Sequence, residues 1–221
     1  MPREPLPADQ IGLFDAIYTM RAIREFKTDP IPDAVLKQVL AAAGQAPSGG
    51  NRQPWKFIVI RSDEGKAKAA SLVAEMQQRA AAERAAAGRP DPTPTGTAAP
   101  APDFPGLLRA APAIVIVCAI APAAEGPGTV GPFGQTFPAV ENLLLAARGF
   151  GLGGNITTGF RAMEKEFKEY LEIPDNLTPT CLIPLGYPTG EGRNKHGRKS
   201  RLPVEETTFA EKYGQPISFS A

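Results

Sequence analysis

The chain has 221 residues, 43% of them hydrophobic, with 24 Lys and Arg against 23 Asp and Glu for a formal net charge of +1. That length suits one domain with a real core, and the balanced charge leaves no overall field for nucleic acid or an anionic membrane, so any anion site must be local. A single histidine, His196, and two cysteines in apolar runs, Cys118 and Cys181, argue against multi-histidine metal sites, Ser–His or Cys–His catalytic pairs and a disulfide framework.

The first pattern, "ADQIGLFDAIYTMRAI", places Ile11, Phe14, Ile17 and Tyr18 on one helical face, with Asp9 available as a cap. "IPDAVLKQVLAAAGQAP" predicts a second helix with Pro32 in its first turn and Val35, Leu36, Val39 and Leu40 inward, ending before Pro47. "KFIVIRS" reads as a buried strand, and "SDEGKAKAASLVAEMQQRA" as a helix opened by Ser62 with acids in its first turn. From about Gln77 to Leu108 the composition turns to Ala, Arg, Pro and Thr; the first part can extend the helix, and the Pro-rich remainder reads as a mobile insertion, a lid or a linker.

"AIVIVCAI" is a β-branched strand that needs cover on both faces. "FPAVENLLLAARGF" predicts a helix beginning at Pro138 with Val140, Leu143, Leu144 and Ala147 inward, and "FRAMEKEFKEYLEI" a helix burying Phe160, Met163, Phe167, Tyr170 and Leu171. "TPTCLIPLGYP" is the last strand, and the extension at 204–221 carries no helical pattern in "TTFAEKYGQPISFSA". Few strands and grouped helices imply an α+β fold layered on one sheet, a single domain over 1–221. The longest apolar run is interrupted by Pro112 and Pro122 and falls short of the roughly 20 residues of a spanning helix, while "MPREPLPADQ" has no apolar signal region; a soluble, cytoplasmic protein is expected.

Two glycine-rich matches do not carry the chemistry they suggest. "GFGLGG", Gly149 to Gly154, fits GxGxxG but follows a helix, whereas a dinucleotide fingerprint follows a strand. "GRNKHGRKS" resembles a phosphate loop, yet Pro203 forbids the helix that would follow. Four other segments offer recognition groups. Arg21 and Arg24 lie in "MRAIREF", a Ser hydroxyl and the Asn51 amide in "APSGGN", and Arg198, Lys199 and Arg201 in "GRKSRLP". The small, polar "GLGGNITTGF" brings backbone groups close to any planar heterocycle. Guanidinium forks and an ammonium suit a phosphate monoester dianion.

Taken together, "RAIREF", "APSGGNRQPWKFIVI", "NLLLAARGFGLGG" and "IPLGYP" followed by "KSRLPVEE" resemble, in order and over almost the whole chain, the FMN-dependent nitroreductases (the nitro-FMN-reductase superfamily). The resemblance implies a homodimeric three-layer α/β/α sandwich with a central mixed, mostly antiparallel sheet. It also implies non-covalently bound FMN at the subunit interface, reduced by NADH or NADPH. Carried over by residue, Pro47, Ser48 and Gly49 would border the flavin and its ribityl chain, with Asn51 hydrogen-bonding it. Arg21, Ala22, Arg24, Lys199 and Arg201 would form the phosphate end. Thr157, Thr158 and Gly159 would run past the pyrimidine edge and N5, an amide N–H there bonding N5. Met20 and Ala22 stand where many members have Arg and Ser, a departure for which Arg198 would compensate.

That family pattern needs no catalytic side chain and no metal: the chemistry falls on FMN N5 beside the backbone of Thr158 and Gly159. The implied reaction is ping-pong electron transfer from NAD(P)H to a small electron-poor acceptor, a nitroaromatic or a quinone. The C-terminal extension would embrace the second subunit and the insertion at 77–108 would roof the pocket, with Phe133 and Phe137 as further candidates for its lining. Alternatives within and beyond the resemblance are a specialised relative (dehalogenase, flavin-fragmenting or azoline-oxidising enzyme) and a flavin-binding protein without turnover. Partners in nucleic acid or membrane are not expected.

Overall fold

The structure, a computed structural model, describes residues 11–88, 103–120, 130–191 and 194–219, with backbone alone over 130–133. A short first helix, α1 (Leu13–Thr19), leads through an extended segment to α2 (Asp33–Ala43), a 3-10 turn at Gly49–Asn51, β1 (Trp55–Ile60) and the long α3 (Asp63–Ala86). Then come α4 (Phe104–Ala110), β2 (Ala113–Ile120), α5 (Val130–Gly149), the two-residue β3 (Gly153–Gly154) and a 3-10 turn at Gly159–Met163. The last elements are α6 (Glu164–Tyr170), β4 (Leu177–Gly186) and α7 (Val204–Thr207).

The four strands form one sheet in the order β1-β2-β4-β3, with every strand pair antiparallel. Among the described residues the one parallel pairing is an isolated bridge from Ala22 to Gly154. β2 is buried on both faces because successive side chains enter different layers. Ile114, Ile116 and Cys118 face the layer of α3, α4 and α6, against Leu72, Leu108, Phe160 and Phe167. Val115 and Val117 face the opposite layer, against Val39 of α2 and Leu143 and Ala147 of α5. The result is helices on both sides of the sheet, an α/β/α arrangement.

Register between β2 and β4 slips after Val117, which pairs with Cys181, while Cys118 pairs with Pro179. Thr180 is the extra residue of this bulge, and its hydroxyl donates to the Val117 carbonyl at 3.0 Å, while the Thr136 hydroxyl donates to Thr180 at 3.2 Å. The bulge accommodates Pro179, which has no N–H for the ladder. It also leaves Cys118 and Cys181 in different layers, both fully buried. Burial pushes the thiols up to about 11 and about 12, so neither is a thiolate nucleophile near neutral pH.

Several sequence expectations hold. Ser62 caps α3, its hydroxyl accepting from the Gly65 amide at 3.1 Å, and α2 buries Leu36 and Val39 as its period requires. Others change. α5 begins eight residues earlier than expected, so Pro138 lies inside the helix, where it withholds one donor from the i−4 carbonyl, rather than at its start. Inside the expected insertion, α3 continues to Ala86 and Asp103 caps α4, whose Leu107 and Leu108 are core residues; 89–102 lie outside the described residues, as does Asp9. The apolar stripe of α1 faces outward: Phe14 is 71% and Tyr18 59% exposed, and only Ala16 is buried. The C-terminal segment turns back on itself through a Phe209–Pro216 bridge and a Phe209–Tyr213 ring contact at 4.7 Å.

Candidate functional site

Two glycines allow three distant parts of the chain to meet. At Gly153 a Cβ would stand 2.4 Å from Ile23 Cγ1, so glycine there admits the extended 20–24 segment beside β3, and at Gly154 it would stand 2.6 Å from the Pro184 carbonyl, so glycine there admits close pairing with β4. The Ile23 amide donates to the Gly154 carbonyl at 3.0 Å, and Ile23 is fully buried. The loop 194–198 is stitched to the same place. Gly197 N–H donates to Thr19 O at 2.9 Å, Arg24 N–H to Asn194 Oδ1 at 2.9 Å, and His196 Nε2 lies 2.9 Å from Leu152 O. Arg21 donates from Nε to Gly197 O at 2.6 Å and from Nη2 to Arg198 O at 2.7 Å.

A carbonyl can only accept, so His196 carries its proton on Nε2, and its buried Nδ1 has no protein partner. Burial, and the positive charges of Arg148 and Arg21 after it, hold the imidazole below its ordinary value, while the carbonyl contacts oppose this. His196 is therefore a neutral strut of the loop, half-buried against Leu152 rather than solvated.

Positive charge collects around this junction. Arg198 lies over the Tyr18 ring at 5.4 Å, and Arg24, Lys199 and Arg201 are exposed. Among the described residues no acid pairs with these four cations, whereas Arg61, Arg79 and Lys66 elsewhere all have carboxylate partners. Cations without a carboxylate partner are the groups a local anion site needs.

Beside them runs the 153–159 segment. Thr157 exchanges both backbone hydrogen bonds with Leu182, at 3.0 and 2.9 Å, so its own amide and carbonyl are occupied. Thr158 and Gly159 open the 3-10 turn, where amides have no intrahelical acceptor, and both are exposed with nothing within 4 Å of a Cβ at Gly159. The neighbouring Asn155 is buried with an unpartnered Oδ1. Backbone donors beside a cationic cluster fit the pyrimidine edge and the phosphate of a flavin mononucleotide.

The Pro47–Gln53 turn is a separate feature. Gly50, Asn51 and Gln53 all have left-handed φ, at 59°, 54° and 49°, held in part by the Gln53 amide donating to Ser48 Oγ at 3.0 Å. Its root packs at the level of Ala139, with Ala46 and Trp55, whereas Arg148 near the other end of α5 donates to Thr19 Oγ1 at 3.0 Å beside the cations. Nine helical residues separate these levels, roughly 13 Å. Within one chain, then, the structure joins the segment of Arg21, Ala22 and Arg24 to the loop that leads into Lys199 and Arg201, and leaves the root of the Pro47–Asn51 turn near the middle of α5.

The profile of the Nitroreductase family matches residues 17–187. The chain belongs to the nitroreductase family. Among relatives, an NADH dehydrogenase of Thermus thermophilus is 30% identical over 192 residues, covering 86% of this chain and 91% of the relative. A protein of Archaeoglobus fulgidus provisionally named NADH dehydrogenase/NAD(P)H nitroreductase is 32% identical over 178 residues, covering 79% and 84%. The fold is that of the Vibrio harveyi NADPH:FMN oxidoreductase complexed with NAD+, with a TM-score of 0.69 at 20% identity, covering 92% of this chain and 78% of that one.

Sequence reasoning on this nitroreductase missed the roles of His196, Asn194 and Tyr18. The signal for the first lay in the neighbours rather than the residue: a lone His beside Gly197, in a run of cations, reads as solvated until the fold supplies a carbonyl. Among the described residues no group of three or more His, Cys, Asp or Glu is placed to hold a metal, and no helix is long and apolar enough to cross a membrane.

Proposed function

We propose that this nitroreductase-family protein is an FMN-dependent oxidoreductase that carries electrons from NADH or NADPH to small electron-poor acceptors, nitroaromatics or quinones, as a homodimer. The observation that supports the reading is the joining of the 19–24 segment, the 194–198 loop and the Leu152–Gly154 backbone by hydrogen bonds, which brings basic segments from both ends of the chain to one place. FMN supplies hydride acceptance and electron delivery that no side chain here possesses.

This chain's residues then bind and orient. Arg24, Lys199 and Arg201 would neutralise the phosphate, charge-assisted contacts among the strongest available to a surface loop. The amides of Thr158 and Gly159 would donate to the ring edge, fixing which atom faces the opening. Thr157, locked to Leu182 in β4, holds that edge on the sheet. Donor and acceptor would use the same opening in turn.

The dimer answers two features that one chain leaves open. The α1 stripe, Leu13, Phe14, Ile17 and Tyr18, is exposed, and it borders a cleft of about 450 Å³ lined by Ile11, Gln38, Ala42, Leu145 and Phe150. The Pro47–Asn51 turn also stands away from the cations, so an interface that carries one protomer's turn toward the other's cations completes the site. Steady-state oxidation of NADH and NADPH by purified protein, with nitrofurazone and menadione as acceptors, tests the activity. Parallel reciprocal plots are the expected result. Bound flavin with no nicotinamide oxidation would instead make the protein a flavin store.

A further inference from the structure

Arg21 has the charge expected at a phosphate, yet its guanidinium is turned elsewhere. The extended segment alternates: Ile23 is buried and Arg21 half-buried on the protein side, while Ala22 and Arg24 are exposed on the other. On the protein side Arg21 forks onto two successive carbonyls, Gly197 and Arg198, at 2.6 and 2.7 Å. These are charge-assisted bonds reaching across more than 170 residues of sequence. Between Gly197 and Pro203 the loop has no strand or helix of its own, so nothing in its local structure fixes where Arg198, Lys199 and Arg201 point.

We propose that Arg21 is a positioning residue: it clamps the 197–198 backbone so that Arg198, Lys199 and Arg201 face the anion, and Arg24 is the cation of the 20–24 segment that meets the anion itself. The anion half of this inference rests on the FMN reading above. The clamp itself does not.

A lysine could replace an arginine that merely supplies charge to a phosphate, but it cannot reproduce a planar fork onto two carbonyls. Amide hydrogen exchange on ligand-free protein and equilibrium binding of FMN and riboflavin are therefore measured for wild type, Arg21→Ala, Arg21→Lys, Arg24→Ala and Lys199→Ala/Arg201→Ala. Arg21→Ala and Arg21→Lys should both speed exchange of the Gly197 amide, which donates to Thr19 O, by about tenfold or more without ligand, and Arg24→Ala should not. Arg21→Ala should weaken FMN by roughly 10- to 100-fold and riboflavin by less than about threefold. In the Lys199→Ala/Arg201→Ala background its further effect on FMN should shrink below about threefold, the non-additivity of residues acting as one unit.

Wild-type exchange in Arg21→Lys with wild-type FMN affinity would overturn the clamp, as would fully additive losses. Should Arg21→Ala fail to fold, Arg21→Lys carries the same readouts. Wild-type protein that takes up no FMN overturns the cofactor reading and the anion half of this inference, while exchange of the Gly197 amide still decides the clamp.

Discussion

Gly153 and His196 show how single residues set the junction. A methyl at position 153 would meet both Ile23 Cγ1 at 2.4 Å and His196 Cε1 at 3.3 Å, the first of them in the buried core. Gly153→Ala should therefore destabilise the fold by about 1–3 kcal/mol, as overpacked sites do, read as a lower midpoint in chemical denaturation. An unchanged midpoint would mean that β3 moves freely from the 20–24 segment. His196 makes a pH prediction. Its folded value lies below the ordinary 6.5, so between the two values the unfolded chain binds a proton that the folded chain refuses. Stability attributable to His196 is thus complete above about 6.5 and is lost as pH falls from there toward the folded value. His196→Gln should flatten that part of the stability profile; an unaltered slope would remove His196 from the latch.

At the scale of elements, legibility followed burial. The continuous β-branched run of β2 and the 3.6-residue period of α2 were readable because the core on two sides demands them. Pro138 misplaced the start of α5 because proline usually opens a helix, and the residues before it, "VGPFGQT", lack an inward apolar period. α4 was hidden by its setting at the edge of a Pro-rich stretch, although "DFPGLL" carries a cap and two core leucines. α1 had a clear apolar stripe, but the sequence does not state what a stripe faces. The two cases separate by mutation: Phe167→Ala, fully buried against Phe160, should cost about 3–5 kcal/mol. Phe14→Ala should leave a monomer's stability within about 0.5 kcal/mol while shifting the monomer–dimer equilibrium, measured by sedimentation. A Phe14→Ala protein with unaltered association would remove α1 from the interface.

For the whole molecule, the candidate site was legible as a set of residue types and not as an assembly. Motif order named the two basic segments around Arg24 and Arg198 that the fold joins through Arg21 and Asn194, because chemistry fixes residue type where an anion is to be held. Which way each side chain turns was not readable: Arg21 and Arg24 look equivalent in "RAIREF", and only the extended backbone separates them. Nor could the sequence show that the root of the Pro47–Asn51 turn packs near the middle of α5, away from its Arg148 end, since that depends on how α2 packs along α5.

The most direct test of the account is a titration of flavin-free protein with FMN and with riboflavin, followed by flavin absorbance and fluorescence. The account predicts one FMN per chain, riboflavin bound at least about 100-fold more weakly for want of the phosphate, and that preference largely lost in Lys199→Ala/Arg201→Ala. Protein that takes up no FMN at saturation, or binds riboflavin equally well, would contradict it.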